Sequence, residues 1–134
     1  MKNLIIVRGG GDLATGTIYK LKKSGFSVLI LEAEQPSAIR RNVAFCEAVY
    51  QGTQTVEDMT CCLAESIDQA QRFLNEGKLP VLVDPAGESI STLNPLAVVD
   101  AILAKKNLGT TRNLAPITIA LGPGFVAGVF LFRG

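Results

Sequence analysis

Three consecutive glycines near the N-terminus constrain the fold more than any other feature of this sequence. An apolar run, Leu4–Val7, comes shortly before Gly9, Gly10 and Gly11, and a helical pattern follows them. A strand, a glycine turn and a helix in this order open a mononucleotide-binding βαβ unit. Gly9, Gly11 and Ala14 also fit the spacing G-x-G-x-x-[G/A], in which glycine permits a tight turn and a close approach of phosphate to the backbone.

A second predicted strand, Ser27–Leu31, ends at an acidic residue, Glu32. In dinucleotide-binding units an acidic residue about 20 positions after the glycines accepts hydrogen bonds from ribose hydroxyls. The pattern therefore predicts a nucleotide-type ligand. The alternative is a tight turn without a ligand, because glycine is the usual residue wherever φ must be positive.

Two charged residues flank the glycines. Asp12 stands where the helix N-terminus would face a pyrophosphate, so its charge would compete with the ligand, and it could instead act as an N-cap. Arg8 could offset that charge or bind a phosphate itself.

Two adjacent arginines lie near the start of the next predicted helix. Arg40 and Arg41 either contact phosphate, including a 2′-phosphate, or belong to a solvated face.

The middle of the chain predicts three elements. A helix is expected from Ala38 to about Val49, with Ser37 as its N-cap, and a hairpin over 51–63. The adjacent Cys61 and Cys62 would point to opposite faces of that hairpin, so we expect packing rather than redox chemistry. A second helix is expected over 66–77.

Two further loops are predicted to share an edge with the first glycines. A short strand, Val81–Val83, precedes Asp84 and Gly87, and another, Ile117–Leu121, precedes Gly122 and Gly124. Ligands of open α/β sheets bind outside the carboxyl ends of the strands, so these loops join the candidate site. A plain Pro-Gly turn leading to a hairpin is the alternative for the last loop.

The C-terminal third is harder to interpret. Asn94 followed by Pro95 slightly favours a helix through Lys105, whereas the β-branched run around Val98-Val99 favours a buried strand. The final apolar stretch, 127–134, predicts an exposed edge strand. Such an edge would pair with another copy of the chain, or the natural protein would continue beyond it.

Composition narrows the classes of protein. The 134 residues suit a single domain, 1–134, and the 48% hydrophobic content suits parallel strands buried on both faces. A net charge of +1 gives no electrostatic case for nucleic acid or a membrane surface. The absence of histidine removes the imidazole bases and histidine metal ligands, and we expect no metal site. Three cysteines without a disulfide pattern fit a reducing cytoplasm.

These patterns together predict an α/β fold: a Rossmann-like three-layer sandwich around a mainly parallel sheet. The candidate ligand-binding residues are grouped at one edge of that sheet: Arg8, Gly9, Gly10, Gly11, Asp12, Glu32, Asp84, Gly87, Gly122 and Gly124. No catalytic residue is assigned.

Several segments together resemble one family throughout: IIVRGGGDLATG, LEAEQPSAIRRNVAFCEAVYQGTQTVE, PVLVDPAGE, VVDAILAKKNLGT and ITIALGPGFVAG. The chain is similar to the YqeB-type accessory proteins of the selenium-dependent molybdenum hydroxylase system. The resemblance implies a cytoplasmic maturation factor for xanthine dehydrogenase-type enzymes, with molybdenum hydroxylase subunits as partners. Members of that family generally continue past G-P-G-F-x-A-G, whereas this chain ends at FLFRG. The chain would then be the N-terminal part of a longer architecture.

Three functions remain open from the sequence. The first is an accessory protein that binds a nucleotide, a dinucleotide or a molybdopterin nucleotide through its phosphate. The second is an NAD(P)-dependent oxidoreductase with Glu32 on the ribose, although no histidine or Tyr-x-x-x-Lys pair is present to move a proton. The third is a ligand-free interaction module whose apolar C-terminal edge docks a partner. That edge could also pair two copies of the chain in a homo-oligomer.

Overall fold

The computed structural model describes residues 3–36, 38, 40–101, 117–121 and 129–133. The strands of this described part are Leu4–Arg8 (β1), Ser27–Glu32 (β2), Thr53–Val56 (β3), Met59–Ala64 (β4), Leu79–Val83 (β5), Ala97–Asp100 (β6), Ile117–Leu121 (β7) and Val129–Arg133 (β8). The helices are Asp12–Lys23 (α1), Ala48–Gln51 (α2), Ile67–Asn75 (α3) and Ser89–Leu93 (α4), and 3₁₀ turns occupy Arg41–Val43 and Phe45–Glu47.

All of these strands join one mixed, mostly parallel sheet in the order β3-β4-β5-β2-β1-β6-β7-β8. The pairs from β4 through β7 are parallel, while β3 and β8 pair antiparallel with β4 and β7. The central order β5-β2-β1-β6 corresponds to the 3-2-1-4 order of Rossmann-type sheets, in which the chain changes direction across the sheet beside its first strand. The predicted fold class is therefore confirmed.

Helices cover both faces of this sheet, which gives three layers. Ile5 and Val7 of β1 pack in the same buried cluster as Ile18 of α1. The alternate β1 residues, Leu4 and Ile6, pack in a second cluster with members of α3 and α4. Because β1 is buried on both faces, its side chains form a continuous apolar run rather than an alternating one.

Two middle elements follow the sequence prediction. Strands β3 and β4 form the predicted hairpin, with Glu57 in the left-handed region (φ 56°) at its turn. Helix α3 begins after Ser66, whose Oγ accepts a hydrogen bond from the Gln69 amide (3.1 Å), as expected of an N-cap. Cys61 is buried, and Cys62 on the opposite side of the strand is half-buried.

The predicted helix from Ala38 to Val49 is wrong. In the described part of that segment, two 3₁₀ turns lead into the short α2, whereas Ser37 lies outside the described residues. The amide of Phe45 donates to Thr15 Oγ1, and the amide of Cys46 donates to the Gly10 carbonyl oxygen. A continuous α-helix needs those amides for its own i−4 carbonyls, so contacts with the glycine turn replace the helix.

The slight preference for a helix after Pro95 is also wrong. Ala97–Asp100 form β6, paired with β1 and β7 and largely buried. Asn94 has φ 51° and ends α4 in a left-handed conformation, so it closes a helix instead of opening one. Pairing on both sides outweighs the local helix signal, while the predicted continuation through Lys105 lies outside the described residues.

Candidate ligand site at the carboxyl edge of the sheet

The carboxyl ends of the parallel strands bring most of the predicted site residues to one edge. Arg8 ends β1, Glu32 ends β2, and Asp84 follows β5. The Asp84 amide donates to the Glu32 carbonyl oxygen (2.9 Å), so these two strand ends are adjacent. Strand β7 also ends at this edge, at Leu121, but Gly122 and Gly124 lie outside the described residues.

The glycine turn is bonded to β2 through two successive amides. Gly9 has φ 99°, a conformation that favours glycine, and its amide donates to the Leu31 carbonyl oxygen (2.8 Å). The amide of Gly10 donates to Glu32 Oε2 (2.7 Å). Glu32 therefore faces the glycine turn, as the nucleotide hypothesis requires.

The Glu32 carboxylate is held in a fixed orientation. Its other oxygen, Oε1, accepts from the Ala33 amide (3.2 Å). Burial raises the pKa of Glu32, and the hydrogen bonds from Gly10 and Ala33 oppose that rise. The side chain is only partly buried, so the carboxylate is fixed by the backbone while its residue retains contact with solvent.

The opposite side of Gly10 is closed by the turn over 45–47. The Gly10 carbonyl oxygen accepts from the Cys46 amide (2.9 Å). A Cβ at position 10 would lie 3.1 Å from Ile30 Cγ2 and 3.2 Å from the Cys46 nitrogen. Close packing therefore favours glycine at position 10, whereas the φ angle favours it at position 9.

Thr15 is a structural residue of this turn that the sequence interpretation missed. Its hydroxyl donates to the Gly11 carbonyl oxygen (2.8 Å) and accepts from the Phe45 amide (3.1 Å). The residue is buried, and its two hydrogen bonds link the segment before α2 to the glycine turn. A threonine four residues after Gly11 is the available signal, since threonine in a first helical turn often bonds back to the backbone.

Arg8 does not present its guanidinium to solvent. The residue is only 1% exposed, and its Nη2 donates to the Pro85 carbonyl oxygen (2.9 Å). A Cβ at Gly87, where φ is 73°, would lie 3.5 Å from Arg8 Cζ. Arg8 thus binds the loop after β5 from a buried position, and its guanidinium is not exposed for a phosphate in this structure.

Asp84 is engaged in the same loop. Its Oδ2 accepts from the amide and the hydroxyl of Ser89 (2.8 and 2.6 Å), and its Oδ1 accepts from the Glu88 amide (3.0 Å). Burial acts to raise the pKa of Asp84, but these hydrogen bonds outweigh it and leave the pKa below its ordinary value. Asp84 therefore holds the start of α4 against the end of β5 through its hydrogen bonds to Glu88 and Ser89.

The start of α1 is the remaining part of the edge. Gly11 is the N-cap and Asp12 the first helical residue, so the alternative of Asp12 as N-cap is wrong. Gly11 has no side chain that could cap the helix, and the N–H groups of the first turn point out of the helix end. Arg40 is exposed, while the side chain of Arg41 lies outside the described set.

Comparison with known proteins gives one informative relative. Over 125 residues, the chain is 52% identical to the uncharacterized protein YqeB of Escherichia coli (strain K12). The aligned stretch covers 93% of the present chain. That similarity supports the resemblance to the YqeB-type family for the stretch it covers. The aligned stretch spans 23% of the relative's length.

No family model and no solved structure matches the chain. Within the described ranges, the helices are too short or too polar to cross a membrane. The same described residues contain no group of three or more cysteine, aspartate or glutamate side chains placed to hold a metal ion.

Proposed function

We propose that this chain binds a nucleotide or a nucleotide-bearing cofactor at the carboxyl edge of its sheet. The observation that carries the proposal is the Glu32 carboxylate, bonded to the Gly10 amide at the end of β2. This is the position from which an acidic residue receives ribose hydroxyls in Rossmann-type sites. The ligand lies beside the first strand, where the strand order reverses.

The Glu32 carboxylate can accept hydrogen bonds from two ribose hydroxyls in addition to its bonds within the protein. An ionised carboxylate offers about four lone-pair positions. The Gly10 and Ala33 amides use one on each oxygen, which leaves an acceptor position on both. Two neighbouring ribose hydroxyls can donate to those positions without displacing either amide.

The phosphate must then lie toward α1 rather than on Gly10. Because the Gly10 amide already donates to Glu32, the donors left for an anion are those of the first turn of α1. The positive end of the helix dipole favours phosphate there, and the negative charge of Asp12, the first residue of α1, opposes it. The Glu32 carboxylate repels a 2′-phosphate, so NADP is a poorer ligand than NAD or a simple ribonucleotide.

The biological role of this binding follows the family resemblance. We propose an accessory protein in the cytoplasm that serves the maturation of a molybdenum hydroxylase, with a molybdopterin nucleotide among the candidate ligands. The enzyme's subunits are the proposed partners. An NAD(P)-dependent oxidoreductase remains the alternative within the same site.

A ligand-free interaction module is favoured by one specific observation. Both backbone groups of Gly10 are satisfied internally, its N–H by Glu32 and its C=O by the Cys46 amide. A turn with these groups already paired needs no ligand for its stability. If no ligand binds in the experiment below, that outcome supports this candidate function.

A thermal-shift and calorimetric screen separates the candidates. The ligands are NAD, NADP, ATP, CTP and a molybdopterin nucleotide, and a ligand present at 100 times its Kd adds about 2.7 kcal/mol to the free energy of unfolding. We expect at least one ribonucleotide to raise the unfolding temperature. Selective binding of NAD would favour the oxidoreductase, and no response to any ligand would favour the interaction module.

A further inference from the structure

A buried hydroxyl contacts the glycine turn whose Gly10 amide holds the Glu32 carboxylate. Thr15 is 4% exposed, and its Oγ1 donates to the carbonyl oxygens of Gly11 (2.8 Å) and Gly10 (3.2 Å). We propose that Thr15 is a positioning residue: its hydroxyl orients the Gly10 backbone, and the Gly10 amide in turn orients the Glu32 carboxylate for a ribose diol. The ribose part of this inference rests on the nucleotide site proposed above.

The Gly10 backbone is held through both of its polar groups. Its N–H donates to Glu32 Oε2 (2.7 Å), and its carbonyl oxygen accepts from Thr15 Oγ1 and from the Cys46 amide (2.9 Å). Glycine has no Cβ to restrict its φ and ψ angles, so hydrogen bonds set the direction of the N–H group. A change at the carbonyl oxygen is therefore transmitted to the carboxylate through a single residue.

Thr15 also sets the position of the second donor to Gly10. Its Oγ1 accepts from the Phe45 amide (3.1 Å), and the next residue, Cys46, donates to the Gly10 carbonyl oxygen. Phe45 is fully buried, so bulk water cannot replace a lost acceptor for its amide. Removing the hydroxyl would therefore delete one hydrogen bond to Gly10 directly and displace the other together with the segment 44–46.

The Glu32 carboxylate reports on this arrangement without any ligand. Burial raises the pKa of Glu32, and the hydrogen bonds from the Gly10 and Ala33 amides oppose that rise. A weaker bond from Gly10 leaves more of the effect of burial uncompensated, so the pKa of Glu32 should rise further when the Thr15 hydroxyl is removed. If Thr15 contributed to stability alone, this pKa would not change as long as the chain is folded.

The first experiment is a pH titration of the Glu32 carboxyl carbon, followed by NMR in Thr15→Val. Valine keeps the branched shape of the side chain and removes the hydroxyl. We expect the proton affinity of Glu32 to increase about three- to tenfold, as a weakened hydrogen bond to a carboxylate implies. Thr15→Ser keeps the hydroxyl and should restore the wild-type value. Thr15→Ala removes the same hydroxyl with a better helix former, and it gives the same test if the valine variant does not fold.

Two control variants separate this effect from a general loss of stability. Thr17→Val makes the same change two positions further along α1, where a half-buried side chain points to another side of the helix. Ile18→Val shortens a side chain in the core beneath α1 and lowers the free energy of unfolding. Both variants should leave the proton affinity of Glu32 unchanged.

Calorimetry tests the ribose part of the inference. The wild-type chain should bind a ribonucleotide about tenfold more tightly than its 2′,3′-dideoxy form. In Thr15→Val this ratio should fall to about threefold or less, because a misdirected carboxylate accepts the two hydroxyls poorly. Thr15→Ser and Thr17→Val should keep the wild-type ratio.

The outcomes distinguish this inference from the nucleotide site itself. The positioning role is overturned if removal of the Thr15 hydroxyl leaves the proton affinity of Glu32 unchanged, or if Thr17→Val alters it as much. An altered titration with an unchanged ribose ratio would overturn the ribose part. If no ribonucleotide binds the wild-type chain, the nucleotide proposal fails, and the titration of Glu32 still decides the role of Thr15.

Discussion

At the scale of single residues, Gly10 is a position where three other segments of the chain come close to one backbone unit. Its amide donates to the Glu32 carboxylate, and its carbonyl oxygen accepts from the Cys46 amide. A Cβ at this position would lie 3.1 Å from Ile30 Cγ2. Gly16, in the middle of α1, is the opposite case, because a Cβ there would meet no atom within 4 Å. The two glycines allow packing and backbone entropy to be separated.

We predict opposite signs for alanine at these two glycines. Gly10→Ala should lower the free energy of unfolding by about 1–3 kcal/mol, because the crowding atoms include backbone that cannot move cheaply. Gly16→Ala should raise it by about 0.5–1 kcal/mol through helix propensity. Urea denaturation of both variants checks this, and an equal or stabilising effect at Gly10 would show that the turn is less tightly packed than described.

At the scale of elements, α1 is joined to the hairpin by a surface group of three side chains. Asp58, in the turn between β3 and β4, accepts from the Tyr19 hydroxyl (2.6 Å) and pairs with Lys23 (2.5 Å). Hydrogen bonds from Lys23 and Tyr19 lower the pKa of Asp58 to about 2. All three side chains are on the surface, so solvent screens their interaction.

The pH dependence of stability should report this group. The pKa of Asp58 is lower in the folded chain than its ordinary value of 3.8, so its contribution is complete above about pH 4 and is lost as the pH falls through about 2. The wild-type chain should therefore lose more stability than Asp58→Asn between pH 5 and pH 2. Urea denaturation at both pH values checks this.

A Lys23→Met background supplies the control for that measurement. The pH-dependent difference between aspartate and asparagine at position 58 should shrink there, because the Lys23 hydrogen bond is the largest cause of the lowered Asp58 pKa and is gone in this background. A difference of the same size in both backgrounds would assign the effect to another group.

Elements with strong local signals were predictable from the sequence, and elements set by distant contacts were not. Strand β1, helix α1 and the capped helix α3 follow from apolar runs, glycine and a serine N-cap. The segment around Phe45 was not predictable, because its form depends on amide bonds to the glycine turn. For β6, the β-branched run around Val98-Val99 indicated the strand that forms, but pairing with β1 and β7 decides between strand and helix, and the sequence does not show that pairing. Helix propensity is a weak guide where tertiary bonding competes with it.

In the candidate site, too, some features were predictable from local sequence spacing and others depended on distant contacts. The spacing of Gly9–Gly11 and Glu32 was sufficient to place the carboxylate at the glycine turn. The sequence could not show that Arg8 is buried beneath the loop after β5 or that Asp84 is bonded to Ser89. Both outcomes depend on where α4 lies, and that short helix carries no clear signal of its own.

At the scale of the whole molecule, the parallel strands from β4 to β7 form a platform whose carboxyl edge carries the candidate site. The edge strands of the described sheet are β3 and β8, and self-association through the C-terminal edge stays a prediction. Because the aligned stretch spans 23% of its YqeB relative, the activity and partners of the complete relative remain proposals for this chain.

The most direct test of the central claim is a double-mutant cycle between Glu32 and the ribose of the ligand. Calorimetry compares a ribonucleotide with its 2′,3′-dideoxy form on the wild-type chain, on Glu32→Gln and on the exposed control Glu34→Gln. We predict that removing the hydroxyls weakens binding about tenfold or more in the wild type and in Glu34→Gln, since hydrogen bonds to charged groups contribute about 1.5–3 kcal/mol, but much less in Glu32→Gln. An equal loss in all three proteins would contradict the account.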